Sequence, residues 1–207
     1  MKKGTVILLV ILGVIILGVI WIFVAAKNSY NSFVTYDQLT ESSWAQVQNQ
    51  YQRRMDLIPN LVATVRGYAE HESSTYQNVT EARAGLARAY DEAAADTTVS
   101  PSDANAFDRY NRAQDRLKSA LGIYINAVHE AYPQLQASEQ FMGLQAQLEG
   151  TENRIATARR DYIDNVQQYN TAIRKFPANI FAGFFGFSPK PQFTADAEAQ
   201  RAPTVSF

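Results

Sequence analysis

The chain has 207 residues, of which 46% are hydrophobic and 19% charged, enough to build one well-filled core. Its formal net charge is −1, from 19 basic and 20 acidic residues, so it lacks the basic surplus typical of nucleic-acid-binding proteins. It contains no cysteine, which excludes disulfides, thiolate nucleophiles and cysteine-bound metals.

An uncharged apolar run occupies residues 5–26. As a helix it would be about 33 Å long, which is one bilayer crossing. The alternative is a cleavable signal peptide, with Val24 and Ala26 at positions −3 and −1 of the cleavage site, but the run is longer than an ordinary signal-peptide core. We therefore predict an uncleaved transmembrane helix that contacts membrane lipid.

The lysines around this run predict its orientation. Lys2 and Lys3 precede the run and only Lys27 follows it closely. The positive-inside rule then places residues 1–4 in the cytoplasm and the chain beyond the span outside it.

Apolar residues beyond the run recur every three or four positions, which is typical of helices with one buried face. They form four sets: Phe33, Tyr36, Trp44, Val47 and Tyr51; Ile58, Leu61, Val65, Tyr68, Tyr76, Val79, Leu86 and Tyr90; Phe107, Tyr110, Leu117, Leu121, Tyr124, Val128 and Tyr132; Phe141, Leu144, Leu148, Ile155, Tyr162, Val166, Tyr169 and Ile173. We predict an all-α domain over residues 28–176, an antiparallel up-and-down four-helix bundle with helices at about 28–55, 57–95, 101–132 and 134–176.

Two of the predicted breaks have clear local signals. Ser100 as N-cap, with Pro101 at the first helical position and Asp103 at the third, would start the third helix. Tyr132 would end it, because the residue before a proline avoids the α conformation, and Pro133 would open the fourth helix.

The third break is predicted within "QRRMDLIPN", residues 52–60. A proline inside a helix costs about 3 kcal/mol, whereas in the first turn it costs little. We therefore predict a corner in which Arg53 and Arg54 end one helix and Asp56 caps the next, with Pro59 in its first turn. The alternative is one helix kinked at Pro59 that runs to about residue 95, which would leave three helices.

The tail, residues 177–207, has a different composition. Residues 176–207 hold seven of the eleven Phe and four of the seven Pro residues. In an up-and-down bundle the fourth helix returns to the membrane side, so the candidate interaction residues near lipid are Phe181, Phe184, Phe185 and Phe187. The alternative is that these rings fill the end of the bundle or a subunit interface.

The last residues alternate apolar and polar side chains. Val205 and Phe207, ahead of the terminal carboxylate, are further candidate interaction residues, which would add to the sheet edge of a partner or dock on a neighbouring copy.

No pattern in the sequence predicts catalysis or a cofactor. A di-iron bundle needs paired Glu-x-x-His motifs, and position 68, three before His71, is tyrosine. There is no nucleophile elbow, P-loop or dinucleotide fingerprint. We predict no catalytic, metal or cofactor-binding residues and no enzymatic activity.

Several motifs resemble the LemA family of membrane-anchored bacterial proteins. They are "RRMDLIPNLVATVRGYAEHE" at 53–72, "YNSFV" at 30–34, "TEARA" at 80–84, "YN" at 169–170, "FP" at 176–177 and the closing "PTVSF". The resemblance implies one membrane helix followed by a four-helix bundle. It also implies an accessory role in the envelope, with a membrane protease or a TPM-domain protein as partner, and no established catalytic residue.

Together these observations predict a membrane-anchored, self-associating helical scaffold or adaptor of the bacterial envelope, a homo-oligomer that binds no nucleic acid. The alternative is a sensor module that holds a small apolar molecule or a lipid between its helices.

Overall fold

The computed structural model describes residues 3–71, 76–95 and 99–193, and the regular secondary structure of this part of the chain consists of helices, without a strand. The prediction of an all-α chain is confirmed there. The elements are α1 (Lys3–His71), α2 (Gln77–Ala94), α3 (Ala104–Ala131), a short 3₁₀ helix (Pro133–Ala137), α4 (Glu139–Arg174) and α5 (Ala178–Phe185).

The first part of α1 is the apolar run. Its large side chains between Ile7 and Val24 are all exposed, as they would be if lipid surrounded them. Among the described residues, α1 is the one helix long and apolar enough to cross a membrane, with a mean hydropathy of 3.3 over its most apolar 18-residue window. The run therefore fits a membrane protein.

The predicted corner at residues 53–59 is wrong. α1 continues as one helix through Pro59 and ends at His71, and α2 begins at Gln77. The predicted second helix, 57–95, is therefore divided between α1 and α2. The kinked alternative is wrong as well, because no single helix continues to residue 95.

Packing explains why the helix tolerates Pro59. Ile58, Leu61 and Val65 are buried in the same stripe as Tyr51, and the seven-residue step from Tyr51 to Ile58 is two helical turns. A corner would break this register and expose the stripe, whereas Pro59 lies on the exposed face. The burial of several large side chains outweighs about 3 kcal/mol for the proline.

The start of α3 differs from the prediction by one turn. Its N-cap is Asp103, whose Oδ1 accepts hydrogen bonds from the backbone N–H groups of Asn105 and Ala106, both at 3.0 Å. Ser100 and Pro101 belong to the preceding turn, where Ser100 Oγ accepts from the backbone N–H of Ser102. The Asp103 carboxylate thereby accepts from two N–H groups of the first turn that have no partner within the helix, and this N-cap fixes the start of α3.

The connection after α3 is longer than predicted, because Pro133 opens the 3₁₀ helix instead of α4. Glu139 begins α4 after Ser138, whose extended backbone separates the two helices. α4 then continues to Arg174, two residues short of the predicted end.

The chain forms two compact units. Unit 1 comprises Met1–Glu41 and Asp164–Lys190, and unit 2 comprises Ser42–Ile163 and Pro191–Phe207. The core of unit 1 is small and centres on Phe33, Tyr169, Ile173 and Ala182. The core of unit 2 is larger and receives residues from α1, α2, α3 and α4, and within it α2 lies against α3.

The tail is only partly irregular, contrary to the prediction. Residues Ala178–Phe185 form α5, which ends at Gly186 with a φ of 78°. This left-handed conformation suits glycine, and the N–H of Phe187 then bonds back to the carbonyl of Ala182 at 3.0 Å. The cap turns the chain back toward α1, and residues 187–193 follow without regular secondary structure.

Candidate functional site

The first feature of unit 1 is an aromatic cluster that joins α5 to α1. The ring of Tyr30 lies 5.0 Å from that of Phe185 and 5.8 Å from that of Phe187, and Phe33 lies 5.2 Å from Phe187, all with edge-on geometry. Phe181 also packs on the core around Phe33. Aromatic pairs of this kind add about 0.5–1.5 kcal/mol each beyond their buried area. α5 is therefore held against the segment of α1 that follows the apolar run.

The opposite face of α5 is exposed and apolar. Phe184 is 84% exposed and Ile180 61%, and the two residues are one helical turn apart. Phe176, in the turn between α4 and α5, is 81% exposed. These three side chains form what we term the apolar ridge: Phe176, Ile180 and Phe184. Large side chains exposed together mark a binding surface more often than scattered ones do.

Charge is distributed asymmetrically around the apolar ridge. Residues 27–36 and 171–190 contain no acidic residue, but they contain four basic ones. Lys27, Arg174 and Lys175 are exposed, whereas Lys190 is buried. The surface of these two segments is therefore cationic and apolar together.

Lys190 is the buried cation of unit 1. Its Nζ lies 2.7 Å from Oδ1 of Asp37 and 3.4 Å from Oε1 of Glu41, and 5.5 Å from the centre of the Tyr169 ring. Its residue exposure is only 6%. A buried ammonium is costly unless it is paired, and two carboxylates of α1 supply the partners. This ion pair attaches the tail to α1.

The motif "YN" at 169–170 holds the same stretch of tail through its backbone. Asn170 Nδ2 donates to the Lys190 carbonyl and Asn170 Oδ1 accepts from the Lys190 N–H, both at 2.9 Å. Tyr169 Oη donates to the Ser188 carbonyl at 3.0 Å. Two adjacent residues of α4 thus supply three hydrogen bonds to two residues of the tail.

A groove of about 760 Å³ also lies in unit 1. Its lining is mainly amide and hydroxyl side chains, with one acidic and one basic residue: Asn28, Ser29, Ser32, Phe33, Tyr36, Asp164, Gln167, Gln168, Thr171, Ala172, Lys175 and Ala178. A lining of this kind offers many hydrogen-bond donors and acceptors beside the apolar surface of Phe33, Ala172 and Ala178. It suits a ligand that carries polar groups better than the purely apolar one of the predicted sensor.

In unit 2, the second arginine of the LemA-like motif is buried. Arg54 is 1% exposed, and its Nη2 donates to the Gln114 carbonyl at 2.9 Å and to Gln114 Oε1 at 2.7 Å. Its Nη1 donates to Glu152 Oε1 at 2.9 Å. The guanidinium therefore connects α1 with α3 and α4. Sequence reasoning placed Arg54 in the last turn of a helix, which is wrong, because Arg54 lies inside α1. The neighbouring Arg53 is exposed.

An aromatic cluster around Trp44 occupies another part of unit 2. Trp44 Nε1 donates to the Val99 carbonyl at 2.7 Å, and its ring lies 4.9 Å from Phe107 and 5.4 Å from Tyr162. Phe193 of the tail joins the cluster at 5.2 Å from Phe107. The guanidinium carbon of Arg159 lies 4.2 Å from the centre of the Phe193 ring, as a cation–π contact. Phe193 was not among the predicted interaction residues.

Buried tyrosines in both units resist ionisation. Burial raises the pKa of Tyr124, against a lowering effect of Arg83, and of Tyr169, where Asp37 adds to the increase, to about 12 in each case. Burial also raises the pKa of Tyr51 and of Tyr162. These tyrosines stay neutral near pH 7, as hydrogen-bonding and packing groups.

The predicted interaction residues fall into three groups. Phe181 and Phe187 pack on unit 1, whereas Phe184 and Phe185 keep exposed surface. Val205 and Phe207 lie outside the described residues. Sequence reasoning missed Lys190, Asn170 and Phe193. The "YN" pair was noticed as a motif. Helical periodicity, however, assigns a role only to the apolar residues of a buried stripe and predicts nothing for the asparagine next to it.

Within residues 3–71, 76–95 and 99–193, no group of three or more His, Asp or Glu side chains is arranged to hold a metal ion. His129 is engaged in packing and hydrogen bonding: its Nε2 lies 2.9 Å from Gln145 Nε2, and its ring meets Phe141 edge-on at 5.8 Å. The clusters described above thus bind the tail and the helices together.

Comparison with known proteins gives the family. The LemA family model matches residues 43–207. The magnetosome proteins MamQ 1 and MamQ 2 of Paramagnetospirillum magneticum are each 28% identical to this chain over 202 residues, which cover 92% of it and 74% of each relative. The magnetosome protein MamQ of Magnetospirillum gryphiswaldense is 25% identical over 187 residues, covering 85% and 68%. The chain belongs to the LemA family.

Proposed function

We propose that this chain is a membrane-anchored helical scaffold or adaptor that associates with itself and presents helical faces and its tail to envelope partners. The observation that carries the proposal is the distribution of exposed apolar side chains. It is concentrated in residues 7–24 of α1 and in the apolar ridge, whereas the polar clusters are used internally. Such surfaces suit contacts with lipid and protein.

A role without catalysis is part of this proposal. Two features support it: the buried ionic groups, Arg54 and Lys190, are engaged by partners of the same chain, and the tyrosines with raised pKa values are neutral. The relatives are named as magnetosome proteins, and their names refer to no reaction.

The proposed arrangement is a single span with the N-terminus in the cytoplasm, followed by an antiparallel four-helix bundle of α1 to α4 outside it. The lysines before the span support the orientation. The short connection between α3 and α4 supports antiparallel neighbours.

Cysteine labelling tests the orientation of the chain in the membrane. A cysteine introduced at exposed Arg53 reacts with an impermeant maleimide in intact cells only if this part of the chain lies outside the cytoplasm.

Self-association is tested by light scattering on the full chain in detergent, with the detergent mass subtracted. An oligomer is expected, and a monomer across the accessible concentration range would refute the self-associating part of the proposal.

Crosslinking in native membranes, followed by identification of the captured proteins, tests the adaptor part of the proposal. A membrane protease or a TPM-domain protein is the partner that family resemblance favours.

A second function, ligand sensing, is favoured by the groove of about 760 Å³ in unit 1. Its many amide and hydroxyl groups suit a polar small molecule, in place of the apolar one predicted from the sequence. A ligand that binds only the folded chain raises its melting temperature. A thermal-shift panel of polar metabolites, with Thr171→Leu as the variant that narrows the groove, therefore separates a sensor from a scaffold.

A further inference from the structure

We propose that the apolar ridge, Phe176, Ile180 and Phe184, inserts into the headgroup region of an anionic bilayer, so that α5 is a second membrane contact beside the span. This inference rests on the proposed membrane anchor. Its occupant is the lipid surface itself, and it concerns the face of α5 that no described part of the chain covers.

The first argument is the position of α5 along the axis of α1. The apolar run ends at residue 26, and Tyr30 follows about 6 Å further along the helix axis. Phe185 contacts Tyr30, with ring centres 5.0 Å apart. The headgroup region extends roughly 5–8 Å beyond each side of the hydrocarbon core. The end of α5 is therefore held at the height of the lipid headgroups.

The second argument concerns the start of α5. Lys175 and Ala178 line the same groove as Asn28 and Ser29, which are the second and third residues after the apolar run. Phe176 lies between Lys175 and Ala178 in the chain, so it lies beside the same groove. The end of α5 is thus within about one to two helical turns of the hydrocarbon boundary, and its start borders a groove that includes the first residues after the run.

The third argument is chemical complementarity. Exposed Lys27, Arg174 and Lys175 lie in two segments without an acidic residue, 27–36 and 171–190, and the second of these contains the ridge. Helices that lie in the membrane interface combine basic residues with Phe or Leu in this way, and basic residues near an anionic surface add about 1 kcal/mol each. The combination favours anionic lipid over a second copy, whose equivalent surface carries the same positive charge.

The test uses the full chain, which has no native cysteine. Single cysteines at Phe184 and, independently, at Ile180 are labelled with an environment-sensitive fluorophore. The protein is reconstituted into vesicles of phosphatidylcholine and phosphatidylglycerol that carry nitroxide lipids at shallow or deep positions. Val19→Cys, in the apolar run, is the control for the anchor. Asp164→Cys is the aqueous control, since it is exposed in the same unit and lies 11 residues before Lys175 on α4, about 17 Å by helical rise.

We expect the deep nitroxide to quench the label at 19. The shallow nitroxide should quench the labels at 180 and 184 at least about two-fold more than the label at 164, because quenching requires close approach to lipid. If the labels at 180 and 184 are quenched no more than the label at 164, while the label at 19 is quenched, the membrane anchor is supported and the ridge proposal is overturned. Labels at 180 and 184 that are shielded from water yet unquenched would identify a second copy as the occupant and also overturn it. An unquenched label at 19 would overturn the anchor itself, and the ridge proposal with it.

Discussion

The side-chain amide of Asn170 binds both backbone groups of Lys190: its Nδ2 donates to the carbonyl and its Oδ1 accepts from the N–H, each at 2.9 Å. The arrangement is that of a strand pair in which a side chain replaces one strand. It fixes the backbone of Lys190 while the ammonium reaches Asp37 and Glu41. One residue of α4 thereby positions a cation for two acids of α1.

Asn170→Ala should therefore release the tail. Two backbone groups would lose their partners, and the free energy of unfolding should fall by about 1–3 kcal/mol. Hydrogen exchange at the amides of Phe187, Ser188 and Lys190 should speed up at least about five-fold, because the local opening equilibrium shifts by the same free energy. Gln167→Ala, at an exposed position on α4, is the matched control. Equal exchange in the two variants would show that Asn170 does not hold the tail.

The ion pair of Lys190 with Asp37 should couple more strongly than a surface pair. A double-mutant cycle of Lys190→Met and Asp37→Asn should give a coupling free energy of about 1–2 kcal/mol, since Lys190 is buried and Asp37 only partly solvated. The control cycle uses Arg66 and Glu70, a pair of the same 2.7 Å length but exposed on α1. It should give about 0.3–0.5 kcal/mol. Similar values from the two cycles would contradict the role assigned to burial.

Arg54 and Arg53 are adjacent in the same motif, but they should differ sharply in their tolerance of lysine. Arg54→Lys cannot reproduce the bonds to both Gln114 and Glu152, and it should cost about 2–4 kcal/mol of unfolding free energy. Arg53→Lys, on the exposed face, should change it by less than about 0.5 kcal/mol. Denaturant unfolding of both variants in the same detergent measures the difference. A neutral Arg54→Lys would mean that the network contributes no net stability.

Helical periodicity was enough to predict the all-α class and most of α3 and α4, and the absence of charge over residues 5–26 was enough to predict the apolar run. Periodicity was misapplied at Pro59. The free-energy cost of a proline inside a helix was considered, but the apolar stripe that continues past Pro59 was not. Tyr51 and Ile58 lie seven residues apart, which places them on the same helix face. Arg54 and Lys190 could not be predicted as buried, because their partners are distant in the chain. Glu152 is 98 residues from Arg54, and Glu41 is 149 from Lys190. Such contacts depend on tertiary structure that no local pattern contains.

The buried tyrosines predict a loss of stability at alkaline pH. The pKa of Tyr124 and of Tyr169 is about 12 in the folded chain, against 10.0 for a free tyrosine. Below pH 10 both states keep the proton, so stability is unaffected. Between pH 10 and 12 the unfolded chain ionises first, and stability falls as pH rises. Tyrosinate absorbance during a pH titration should show ionisation delayed past pH 10 until unfolding occurs. Tyr124→Phe should reduce the slope, and an unchanged slope would exclude Tyr124 as a contributor.

Pro59 provides a direct test of the uninterrupted α1. Inside a helix the proline lacks the N–H that would bond to the carbonyl four residues earlier, so Pro59→Ala restores a donor. The gain in unfolding free energy should be about 1–2 kcal/mol, because the greater freedom of alanine in the unfolded chain offsets part of the improvement. Pro101→Ala is the matched control, since Pro101 lies in a turn before α3 and outside any helix, where the same change should be neutral or destabilising. If Pro59→Ala also destabilises the chain, the proline serves a corner after all, and α1 ends before it.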